Sequence, residues 1–200
     1  MQGISGTLTP SSCIELADGI WIYSVLVVDK WPCTIMDAGS GVGQLLLRLS
    51  FLLAPSKYQL KGFEIDSIKE QKSQDIQVLI TTRMLTHQEL VIQWIAENAN
   101  SCSFQHASVA AVGKLDAHIV ISFWEGWSPK DKHCLGMACS GGSVRLVVII
   151  QRHVRDTNSL MVDNGFPRSW LLHNHEVKLQ GSNQVFHAFY FRLFKDLPPQ

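Results

Sequence analysis

Asp37-Ala38-Gly39-Ser40-Gly41-Val42-Gly43-Gln44 is the stretch on which the reading of this chain turns. Just before it, Thr34-Ile35-Met36 is a short apolar run that stops at Asp37. Just after it, Gln44 to Leu53 reads as a helix, apolar nearly all round and hence buried, which Pro55 ends. The order is therefore strand, glycine turn, helix. Glycines tolerate positive φ and let the backbone approach a ligand closely. The helix N-terminus behind them presents N–H groups without intrahelical partners. In an open α/β sheet such a turn lies beyond the carboxyl ends of the strands, where ligands bind.

The pattern continues on both sides of this turn. Tyr58 to Phe63 reads as a second strand ending at Glu64, and Ser67 to about Arg83 carries Ile68, Ile76, Leu79 and Ile80 at helical spacing. Thr86-His87-Gln88-Glu89 fits a capping box, from which a helix restarts toward Asn98. Ser103 to His106 is a third strand. Ala117 to Phe123 and Val144 to Ile150 are continuous apolar β-formers, the mark of strands buried on both faces. Between them, Pro129 to about Cys139 reads as a helix closed by Gly141-Gly142. Glu176 to Gln180 and Val185 to Phe194, joined through Gly181-Ser182-Asn183, have hairpin chemistry. The expected fold class is α/β: a three-layer sandwich around a mostly parallel seven-stranded sheet with a C-terminal antiparallel hairpin. Residues 31–200 are read as its core domain, and residues 1–30 as an N-terminal lead packing on the ligand side.

Composition narrows the class. The chain has 200 residues, with 17 Lys+Arg against 17 Asp+Glu, so it lacks the basic excess of a dedicated nucleic-acid binder. Its 46% hydrophobic content suits an ordinary globular core. Five cysteines without a CxxC pair read as free thiols in a reducing compartment. The N-terminus has no basic n-region or apolar h-region. The most apolar window, Leu45 to Leu53, is far shorter than the roughly 20 residues of a membrane span. The expectation is an intracellular protein, cytoplasmic or nuclear, with no membrane partner.

Glu64 stands 21 residues after Gly43, where a carboxylate can accept both hydroxyls of a ribose. Two kinds of nucleoside ligand use such a layout. Dinucleotides want GxGxxG, but here the spacing is GxGxG and Gln44 takes the place of the third dinucleotide glycine. Asp37 would repel a pyrophosphate and favour a cation. S-adenosylmethionine, with its sulfonium and α-ammonium groups, is such a cation.

Asp37 to Gly43 resembles the first motif of the class I, seven-stranded S-adenosylmethionine-dependent methyltransferases, and Phe63-Glu64-Ile65-Asp66 resembles their acidic motif. The terminal hairpin is similar to the antiparallel pair that ends their sheet, so the resemblance spans roughly residues 30 to 195. More narrowly, Gly6-Thr7-Leu8-Thr9-Pro10 ahead of Gly39 to Gln44 is similar to the seven-stranded histone-lysine methyltransferases. The resemblance implies S-adenosylmethionine as cofactor, with Gly39, Ser40, Gly41, Gly43 and Gln44 shaping the turn around its amino-acid part. It also implies that Asp37 orients the ammonium, Glu64 holds the ribose, Ile65 packs on the adenine and Ala107-Ser108 reach the adenine edge. Ser122 to Trp127 would line the methyl-transfer mouth, with Ser122 and Trp124 as catalytic candidates and Glu125 as candidate base. The acceptor implied is a protein.

That narrower branch carries an Asn pair after its fourth strand, where this chain has Ser122-Phe123-Trp124-Glu125-Gly126-Trp127, and many relatives have an acid where this chain has Ser108. These departures leave a second reading, a catalytically inactive binding or scaffold subunit of the same fold acting with a partner chain. No metal site is expected. His173 and His175 share a strand face without a third ligand, and Cys134 and Cys139 suit helix packing.

Overall fold

The computed structural model describes residues 7–85, 98–99, 101–152 and 156–194. Seven strands form one sheet: β1 (Cys33–Ala38), β2 (Tyr58–Glu64), β3 (Cys102–His106), β4 (Ile119–Phe123), β5 (Leu146–Gln151), β6 (Ser169–Lys178) and β7 (Val185–Leu193). Their spatial order is β3-β2-β1-β4-β5-β7-β6. β1 to β5 pair in parallel, and β7 enters antiparallel between β5 and β6. The expected α/β sandwich, parallel core and terminal hairpin are all present. The chain runs from β1 to β2 on one side and returns to β4 on the other. The order reverses at β1, and a crevice opens there beyond the strand ends.

Apolar residues dominate β1, β4 and β5 because these strands are covered on both faces. One layer holds α1 (Pro10–Val27), α2 (Gln44–Leu52) and α3 (Ser67–Leu85). The other holds α4 (Pro129–Gly141) and α5 (Thr157–Asp163), whose Leu135, Ala138, Cys139 and Met161 are fully buried. Cys134 and Cys139 pack on α4 as the sequence suggests.

Three expectations need correction or a boundary. Residues 10–27, read only as a lead, form α1. Thr9 caps it by accepting from the Ser12 amide, and Pro10 occupies its first turn. Gly19 lies in the middle of α1 despite the helix cost of about 1 kcal/mol. A Cβ there would stand 2.4 Å from the Tyr190 hydroxyl, so only glycine lets α1 rest on β7. Second, β6 begins at Ser169 rather than at Glu176. A register shift between Leu171 and His173 breaks its alternation, which is why the pattern read short. Third, the helix expected from Thr86 to Asn98 falls on residues 86–97, outside the described residues. Among the described residues no helix is long and apolar enough to cross a membrane.

Candidate functional site

The turn after β1 is held rigidly. The amides of Gly39 and Ser40 both donate to the Phe63 carbonyl, at 2.8 and 2.9 Å, tying the turn to the end of β2. Gly39, Gly41 and Gly43 have φ of +83°, +59° and +73°, values that side-chain-bearing residues rarely adopt. Two of these positions are also sterically closed. A Cβ on Gly39 would lie 2.9 Å from the Trp127 indole, and one on Gly43 would lie 2.5 Å from the Phe104 ring. The glycines thus serve both the backbone path and the close approach of neighbouring rings.

Glu64 is buried at the end of β2 and faces this turn. One carboxylate oxygen accepts from the Gly41 amide at 2.7 Å and the other from the Asp66 amide at 3.0 Å. Each oxygen keeps a lone pair for a further donor. Asp37 is 4% exposed, and no cation pairs with it among the described residues. Burial, and then the nearby Glu64 charge, push its carboxyl up to about 7. The Ser40 hydroxyl is also buried and has no hydrogen-bond partner.

These groups line a cleft of about 420 Å³, within the usual size of a small-molecule site of roughly 300–1,000 Å³. Ile65 is 65% exposed and contributes an apolar wall, and Ala107, Ser108 and Val109 form another. The Ala107 amide donates to the Glu64 carbonyl at 3.0 Å, while Ser108 caps the short turn that follows. Thr7 and Leu8 close a further side. Thr7 bonds the Gln44 side chain, and the Leu8 carbonyl accepts from the Arg48 guanidinium at 2.6 Å. The link from Arg48 to Leu8 spans forty positions and needs the fold to appear.

The turn after β4 corrects part of the expected mouth. Ser122 is fully buried and donates to the Ala38 carbonyl at 3.1 Å, bracing β4 on β1. Trp124 is 1% exposed, packs near Phe166, and extends the β4–β5 ladder through its amide to the Ile150 carbonyl. Neither residue lines the cleft, which leaves both without access to a substrate. Phe123, Glu125 and Trp127 do line it. Gly126, at φ +85°, turns the chain so that Trp127 returns over Gly39.

Glu125 reaches the cleft but is already occupied. Its carboxylate accepts from the Arg152 amide at 3.0 Å and pairs with the Arg152 guanidinium at 2.8 Å. These contacts hold its carboxyl below the ordinary value, which makes it a poor general base. His173 and His175 lie with ring centroids 5.7 Å apart, and His175 stacks on Tyr190. Among the described residues no group of three or more His, Cys, Asp or Glu side chains is placed to hold a metal ion.

No family model matches the chain. No curated protein sequence matches it. Solved structures do. TrmN from Thermus thermophilus superimposes with a TM-score of 0.58 at 13% identity, over 96% of this chain and 51% of that one. This chain thus spans about half the length of that protein. Magnesium protoporphyrin IX methyltransferase from Synechocystis, solved with bound S-adenosylmethionine, gives a TM-score of 0.59 at 14% identity, over 91% and 80% of the two chains. An rRNA methyltransferase from Streptomyces viridochromogenes gives 0.56 at 13% identity, over 96% and 87%. The fold is that of the class I S-adenosylmethionine-dependent methyltransferases.

Proposed function

We propose that this protein is an S-adenosylmethionine-dependent methyltransferase whose cofactor lies in the cleft between the glycine turn and Glu64. The observation that carries this reading is Asp37. A carboxylate buried beside a second carboxylate, with no basic partner, is electrostatically incomplete. A cationic ligand completes it, whereas a pyrophosphate would worsen it.

When bound, S-adenosylmethionine supplies a methyl group made electrophilic by its sulfonium. The chain's own residues then bind and orient. Asp37 faces the α-ammonium. Gly39 and Gly41 line the cleft, Gly43 completes the backbone path behind them, and Gln44 is held by Thr7. Glu64 uses its free lone pairs on the ribose hydroxyls while its other contacts fix its position. Ile65, Ala107 and Ser108 bracket the adenine. Positioning of this kind is the main contribution a protein makes to a displacement at a methyl carbon.

The acceptor is proposed to be an amine, with protein lysine as the finer reading that the resemblance of Gly39 to Gln44 and of residues 6–10 suggests. Phe123 and Trp127 offer aromatic faces to a cationic amine before it loses its proton. Glu125, bound by Arg152, contributes charge and shape there rather than proton removal. Calorimetric titration with S-adenosylhomocysteine tests the cofactor reading. Saturable binding at micromolar concentration is expected, and no heat of binding at millimolar ligand removes the proposal. Labelled-methyl transfer in a lysate then tests the acceptor. A labelled protein band fits the amine reading, and label confined to RNA or small molecules contradicts it. Binding without turnover returns the chain to the scaffold reading.

A further inference from the structure

The cleft wall at Thr7 and Leu8 is held by a residue that does not itself line the cleft. Gln44 and Arg48 stand four positions apart on α2, so their side chains share one helix face. They grip consecutive residues. Gln44 bonds Thr7, and the Arg48 guanidinium donates to the Leu8 carbonyl at 2.6 Å. Its further contacts are the Cys13 sulfur at 3.9 Å and the Gln180 side-chain oxygen at 3.5 Å. Among the described residues no acid pairs with it. The guanidinium is thus given to neutral acceptors, and its shortest bond goes to the backbone of the cleft wall. On the other side the same segment is stitched to the end of β6. Leu8 bridges Leu179, the Gln180 amide donates to the Thr7 carbonyl at 2.7 Å, and the Thr9 amide donates to the Lys178 carbonyl at 2.9 Å. Residues 7–9 therefore form a strap between the helix behind the glycine turn and the terminal hairpin.

We propose that Arg48 is a positioning residue that fixes this strap over the amino-acid end of the cofactor without touching the cofactor. The inference rests on the cofactor reading given above. Its placement follows from the sheet. Glu64 and Ile65 end β2, and Ala107 and Ser108 follow β3, all on one flank of β1. The strap instead joins Gln44, directly after the glycine turn, to Leu179, directly after β6 at the opposite edge of the sheet. It therefore closes on the turn and Asp37 rather than on the adenosine. Leu8 is 4% exposed, so its side chain anchors the strap in the core. The bridge to the hairpin uses the Thr7 carbonyl and the Thr9 amide, which leaves the Leu8 carbonyl facing α2. There Arg48 meets it, and the one other donor is the weak Cys13 thiol at 3.9 Å. A latch that favours the ligand's amino-acid part must in turn be tightened by that part, because coupling free energies are reciprocal.

Calorimetric titration of the full chain with S-adenosylhomocysteine and with methylthioadenosine, which lacks the amino-acid part, tests the latch. Arg48→Met keeps an apolar stem and a good helix former but removes every donor. It should weaken S-adenosylhomocysteine about tenfold and leave methylthioadenosine within about twofold of the wild type. Arg48→Lys keeps a charged donor and should recover most of the loss. A second measurement needs no variant. On the wild type, S-adenosylhomocysteine should slow hydrogen exchange at the Thr9 and Gln180 amides about threefold more than methylthioadenosine does. Equal losses of the two ligands in Arg48→Met, an Arg48→Lys variant no better than Arg48→Met, or amides indifferent to the choice of ligand overturns the proposal. A wild type that binds neither ligand removes the cofactor reading on which it rests.

Discussion

Asp37 and Glu125 line the same cleft, yet their surroundings differ in kind. Asp37 is buried, has no counter-charge and sits beside another acid, so its proton is held up to a pH of about 7. Glu125 is more open, bonded to both the amide and the guanidinium of Arg152, and gives up its proton below the ordinary value. Burial without a partner destabilises the unliganded fold, whereas pairing does not. The Asp37 region thus leaves a buried acid without a counter-charge among the described residues, and the Glu125 region is already complete. A residue's presence in a cleft says little. What its neighbours leave unsatisfied says more.

The contrast can be broken at the turn that frames Asp37. Gly43→Val meets a positive φ and the Phe104 ring together. It should cost about 4 kcal/mol in denaturant unfolding, combining backbone strain with overpacking. Gly41→Ala has open space around its Cβ and should cost only about 1–2 kcal/mol, from φ alone. Equal losses at the two positions would mean that the packing of Phe104 has no part in holding the turn.

Asp37→Asn should move stability the other way. The folded-state pKa of Asp37 lies above its ordinary value, so the unfolded chain gives up the proton first. Stability from the protonated form is full below about pH 4 and is lost as pH rises to about 7. Asparagine lacks this loss. At pH 8 the variant should be more stable than the wild type by roughly 2–4 kcal/mol, with the gain vanishing near pH 4. Thermal unfolding at the two pH values measures it.

Glu125→Gln should produce the smallest change. The pair with Arg152 is partly exposed, so its loss should cost no more than about 1 kcal/mol. The folded-state pKa of Glu125 is lowered, so this contribution is present above its ordinary value and fades as pH falls below it. Affinity for S-adenosylhomocysteine should hold within about twofold. A large loss of affinity would make Glu125 part of the ligand site and erase the contrast.

Much of this was legible in the sequence because it rests on local rules. The glycine turn, Asp37 before it and Glu64 at the end of β2 follow from backbone geometry and strand length, and the structure brings the turn and both acids to one cleft. The hairpin was legible from Gly181-Ser182-Asn183, though the register shift near Leu171 hid the first half of β6. α1 was missed although Thr9-Pro10 is a start signal, because its apolar residues run all round rather than along one stripe. The turn after β4 was the hardest. Trp124 and Trp127 look alike in sequence, and only the positive φ of Gly126 decides that one is core and the other faces the cleft. The Glu125–Arg152 pair depends on β4 and β5 lying side by side, with Phe123 opposite Ile150.

The most direct test is the pH dependence of S-adenosylhomocysteine affinity for the wild type and for Asp37→Asn. If Asp37 must be ionised to receive the ligand's ammonium, wild-type affinity should rise about thirtyfold from pH 5.5 to a plateau above about pH 8. The variant should bind at least tenfold more weakly at the plateau and show no such rise. A wild-type affinity that is flat across this range and equal to that of the variant would contradict the assignment of Asp37 as the cation seat.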